Sequence, residues 1–179
     1  MRNKSFMTAA IAAALITAPA AFGVSARQEG QHPAQGHGHD GHAEGVNERG
    51  DRVMGFDHQK TTHLFLLFTD GGAIEVAANS GDDSESRDQI RKHLGHIARM
   101  FAEGDFKAPM LIHGQTPPGV AVMQRMKAEI RYGYEETGRG ARVRIRTGNA
   151  EALAAVHEFL RFQIKDHETG DKTEVRPRG

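Results

Sequence analysis

A chain of 179 residues is long enough for one domain with a tail. Its 23 basic and 23 acidic residues cancel, which argues against nucleic acid or an anionic membrane as the main partner. There is no cysteine, so disulfides, thiolate ligands and thiol nucleophiles are excluded, and histidine and methionine are left as the borderline and soft metal ligands.

The chain opens with Arg2 and Lys4, then the apolar run "FMTAAIAAALITAPAAFG", then "VSA". That is the pattern of a secretory signal peptide, and it predicts cleavage after Ala26, with Ala20 as the alternative. The run is short and rich in Ala, which argues against a membrane span. Export to a bacterial periplasm, or secretion beyond it, follows. Without Arg2 and Lys4 the basic count drops to 21 against 23 acidic residues. Residues 27–53 are Gly-rich, with few apolar side chains, and are expected to be a disordered tail. His32, His37, His39 and His42 make that tail a metal-capture tract by composition.

A single domain is expected over residues 54–171. "THLFLLF" (62–68) reads as a buried strand, "TDGG" as a hairpin turn and "AIEVAA" (73–78) as the return strand. Asp82 or Asp83 can cap a helix over 84–103 that stops before Gly104. The connector 105–126 holds Met110, His113, Met123 and Met126, and Thr116-Pro117-Pro118 suits the start of a short helix ending near Lys127. "EIRYGYEE" (129–136), the turn "TGRG" and "ARVRIRT" (141–147) form a second hairpin, and Asn149 caps a helix over 150–167. Two hairpin–helix units predict an α+β fold: a four-stranded antiparallel sheet with two main helices on one face. Residues 172–179 are charged and expected to fray.

On the 84–103 helix, Ile90, Leu94, Ile97 and Phe101 share an arc of about 60°, which is the core stripe. His93, His96 and Met100 share a second arc beside it. Two histidines one turn apart can reach one ion, and a methionine thioether suits copper(I). His157 flanks the stripe Leu153, Val156, Leu160 and Ile164 of the last helix, His167 lies at its end, and His63 opens the first strand. Each taken alone reads as structural. Collectively the folded part holds seven His and five Met, several beside core stripes, which strengthens a metal reading.

"MGFDHQKTTHLFLLFTDGGAIEV", "RDQIRKHLGHIARMFAEGDFKAPMLIHGQTPPGV" and "EALAAVHEFLRFQIKDHETGD" resemble a widespread family of small exported bacterial proteins without an established function. Members are sometimes labelled aspartate carbamoyltransferase. The sequence does not support that activity here, being too short for the two-domain transferase and lacking its Ser-Thr-Arg-Thr phosphate loop. The resemblance implies that His93, His96, His113, His157 and His167 belong to recurring motifs, and that the His-rich tail does not.

The leading expectation is a periplasmic transition-metal-binding protein, for copper first and zinc or nickel as alternatives. Its ligands would come from His93, His96, Met100, His113, His157, His63 and His167, and it would act in binding, delivery or detoxification. The first alternative is a small-ligand protein or enzyme acting on an anionic compound. There Arg142, Arg144 and Arg146 would clamp the anion, and His157 with Glu158 or Asp166 with His167 would serve acid–base work. The second alternative is an interaction module without a site.

Overall fold

The structure, a computed structural model, describes residues 38–178, with side chains from residue 45 onward except that of Asn47. The signal-peptide reading, and His32 and His37, lie outside the described residues. Strands β1 (Thr61–Phe68), β2 (Gly71–Ala78), β3 (Ile130–Thr137) and β4 (Gly140–Thr147) form one antiparallel sheet in the order β1-β2-β4-β3. Helices α2 (Ser84–Glu103) and α5 (Ala150–Asp166) pack on one face of it. The fold is the α+β class that the two hairpin–helix units call for.

Alternation along the strands explains the layering. Phe65, Ile74 and Val143 are aligned across three strands and are all buried under the helices. The β1–β2 turn is two residues long, and Gly71 after it has φ 143°. A Cβ there would lie 2.0 Å from the Ile145 carbonyl oxygen, so no other residue fits without backbone movement. Asp83 caps α2 by accepting from the Ser86 N–H, and Gly104 closes it in the left-handed conformation. Asn149 caps α5 by accepting from the N–H groups of Glu151 and Ala152. Ile90, Leu94, Ile97 and Phe101 of α2 meet Val156, Phe159, Leu160 and Ile164 of α5 in the core. Each such side chain contributes about 1.5–3 kcal/mol by leaving water.

Three expectations need correction. Residues 38–53 are not an unstructured tail: they belong to helix α1 (Gly38–Met54), which packs on α3. Val46 is fully buried, and Arg49 Nε donates to the Ile112 carbonyl at 2.6 Å. The connector holds two helices rather than one, α3 (Lys107–His113) and α4 (Val120–Arg125). The C-terminal segment 172–178 does not fray. Arg176 forms a parallel bridge with Phe68: its N–H donates to Leu67 O at 3.0 Å, and its carbonyl accepts from the Thr69 N–H at 2.9 Å. Asp171 also accepts from the Phe65 N–H at 2.8 Å. This tail therefore covers the outer edge of β1. Among the described residues no helix is long and apolar enough to cross a membrane.

Candidate functional site

Four elements bring three histidines and a methionine to one end of the core. His63 is the third residue of β1, on the face turned toward the helices, and pairs with Val76 across the hairpin. His93 comes from α2, His167 caps the C-terminus of α5, and Met54 ends α1. These four side chains line a cavity of about 60 Å³ whose apolar wall includes Ile74, Ile97, Phe101 and Phe159. A wider, more polar vestibule of about 240 Å³ lies beside it, shares Met54, His63 and His167 with it, and adds His58 and Thr169. The imidazoles sit in a row of rings: His63 stacks on His167 with planes 5° apart and centroids 5.9 Å apart. Phe56 stacks on His63 and meets His93 edge-on at 5.6 Å.

Burial sets the charge of this group. Desolvation pushes the His63 imidazole down to about 4, helped by nearby His58 and opposed by Asp51. Burial likewise pushes His93 down to about 4, with His63 and His96 adding to the effect. His167 is pushed down to about 3, chiefly by burial, then by His113 and His63, with Asp166 opposing. All three are neutral at pH 7. His63 Nε2 is buried and has no hydrogen-bond partner.

The other expected residues fall elsewhere. His96 is exposed. Met100 packs against the core from its edge and does not line the cavity. The His93–His96–Met100 set is therefore not a shared site; only His93 turns inward. His113 touches the His167 ring at 5.0 Å, but both its ring nitrogens are engaged. Nδ1 meets Asp166 Oδ2 at 2.5 Å and Nε2 meets Gln163 Oε1 at 2.9 Å. His157 is apart from the group, its Nε2–H donating to Phe68 O at 2.9 Å and Gly71 O at 3.0 Å. It clamps the β1–β2 turn to α5. Met110 is exposed, Met123 is fully buried and Met126 packs against the core; none lines the cavity. His39 and His42 fall in the first turns of α1, with side chains outside the described residues.

The arginine clamp is not open either. Arg144 is 3% exposed. It pairs with Asp70 at 2.6 Å, donates to Gly72 O and Ile145 O, and lies over the Phe68 ring at 4.5 Å. Arg142 is held by Glu75 at 2.7 Å. Asp166 meets His113, and Glu158 is exposed while His157 is buried, its Nε2 engaged by two turn carbonyls.

Sequence reasoning missed Met54 and Phe56 as part of the site, since a helix ending at Met54 was not expected. It also missed Asp51, Asp57 and His58. Among the described residues these three form the group whose ligand atoms already lie within 4.8 Å of one another. Local hydrogen bonds explain that arrangement. His58 Nδ1 and its backbone N–H both meet Asp51, and Asp57 caps a short 3₁₀ turn through the Gln59 N–H. Among the described residues, the ring nitrogens of His63, His93 and His167 do not already converge within that distance. No protein-family model, curated protein or solved structure matches the chain.

Proposed function

We propose that this protein binds a transition-metal ion, copper(I) first and zinc or nickel as alternatives, between His63, His93 and His167, with Met54 supplying a thioether. One observation carries the reading: three imidazoles are kept neutral by burial around one cavity, and His63 Nε2 is buried there with no partner. A buried polar atom without a hydrogen bond costs about 1–3 kcal/mol. A bound ion would offset that cost. Neutral imidazole is the ligating form, so no proton has to be displaced near pH 7. Imidazole and thioether suit copper(I), and the apolar wall would shield the ion from water.

The role is binding, delivery or detoxification rather than turnover. Arg142, Arg144, His157 and Asp166, four of the groups the enzyme reading would use, are engaged in the hydrogen bonds and ion pairs described above. Export, expected from residues 1–26, would put the site where copper and zinc arrive. The vestibule leads past His58 to Met54, His63 and His167, and the tail histidines would serve as outer capture.

The test is a copper(I) competition titration against a chromogenic chelator, using the full chain, a variant with His32, His37, His39 and His42 changed to Ala, and a second variant with His63, His93 and His167 changed to Phe. The tail variant is expected to keep one tight site and the Phe variant to lose it. Equal tight binding by the parent and the Phe variant would remove the inner site from the account.

A further inference from the structure

The two edges of the sheet are finished differently. The outer edge of β1 is covered by the C-terminal segment through Arg176. β3 is the other edge, and among the described residues its outer side has no strand partner. It is eight residues long and, from Arg131 to Glu136, exposed at every position except Tyr132. A long bare edge invites pairing unless something blocks it.

The sequence of that edge, Arg131-Tyr132-Gly133-Tyr134-Glu135, is complementary to itself when reversed. Turned about Gly133, Arg131 faces Glu135 and Tyr132 faces Tyr134. Residues of equal parity in a strand share a face of the sheet, so each pair would meet on the same side. We propose that β3 pairs with β3 of a second copy of this chain, antiparallel and with Gly133 on the two-fold axis, joining the two sheets into one. Such a contact is isologous, so each charge pair occurs twice.

Two further features fit a second copy. Beside β3 lies an open groove of about 460 Å³, floored by Gly95, Ala98 and Ala102 of α2 and walled by Tyr132 and Tyr134. The small side chains of α2 leave room for the partner's Tyr134 beside Tyr132. Within the same wall the Tyr132 hydroxyl is buried without a hydrogen-bond partner, and a second chain can supply one. Charges on an edge strand often serve only to repel other strands. Here their order is opposite in sign about the centre, so this register places each Arg131 opposite a Glu135. Glu135 is held only loosely by Arg142 at 3.7 Å, so it remains able to meet the partner's Arg131.

Sedimentation equilibrium of the full chain from micromolar to near-millimolar concentration tests the proposal. A monomer–dimer equilibrium is expected. Arg131→Glu and Glu135→Arg should each weaken it by roughly tenfold, since like charges placed opposite each other on paired strands are destabilising. The double variant Arg131→Glu with Glu135→Arg should restore it, which a merely misfolded variant could not do. A chain that stays monomeric throughout overturns the proposal. So does a dimer indifferent to both single changes, or one that the double variant fails to rescue.

Discussion

Two kinds of histidine meet within this small domain, the buried and the half-buried. His113 and His157 have their buried nitrogens matched by protein partners: the Asp166 carboxylate and the Gln163 amide for the first, two turn carbonyls for the second. His63, His93 and His167 are half-buried around a cavity, and at His63 a buried ring nitrogen is left without any partner. The first kind holds the fold together. The unpartnered nitrogen of His63 weakens it, because a buried polar atom gives up its bond to water and gets nothing back. Hydrogen-bond satisfaction therefore separates His63 from His113 and His157.

Removing a histidine of the first kind should cost most. His113→Ala is expected to destabilise the protein by about 3 kcal/mol, because it opens a cavity and removes the ring that meets Asp166 and Gln163. His157→Ala should cost about 2 kcal/mol, since two turn carbonyls lose their donor. Urea denaturation measures both, and a loss under 0.5 kcal/mol, roughly the scatter of a surface substitution, would erase the distinction. His63→Phe should have the smallest effect and the opposite sign. It keeps the ring stack and deletes the orphaned nitrogen, so the metal-free protein should be unchanged or more stable by about 1 kcal/mol.

Acid sharpens the same contrast. The folded values of His63, His93 and His167 are about 4, 4 and 3, below the roughly 6.5 of an unfolded histidine. Between these limits the unfolded chain binds more protons than the folded one. Stability should therefore fall as pH drops from about 6.5 toward 4, by on the order of 1–3 kcal/mol per pH unit if the three titrate together. Changing all three to Phe should flatten that window in denaturation curves taken at a series of pH values. An unchanged slope would mean that these rings are not desolvated.

The fold was legible in the sequence where local chemistry and hydrophobic period agreed. "TDGG" and "TGRG" between apolar runs give two hairpins, and Asp83, Gly104 and Asn149 mark helix ends within a residue. What escaped was structure imposed by packing. The α1 segment "GHDGHAEGVNERGDRVM" has no apolar stripe of the usual width, and its order comes from burying Val46 against the rest of the domain. The C-terminal segment binds β1 through backbone atoms, which leave no side-chain signal. At the site, the helical wheel places His93 at the core boundary but cannot distinguish it from His96, three residues on. The deciding fact is that Phe56, just after α1, meets the His93 ring, while His96 stays exposed. Met54 was out of reach for the same reason.

Histidine side-chain nitrogen NMR, recorded with and without one equivalent of copper(I), tests the distinction most directly. The account predicts that His63, His93 and His167 give the signals of neutral rings at pH 7 and shift on copper addition, while His113 and His157 stay where they are. Shifts confined to the tail histidines, or appearing first at His113 or His157, would contradict it.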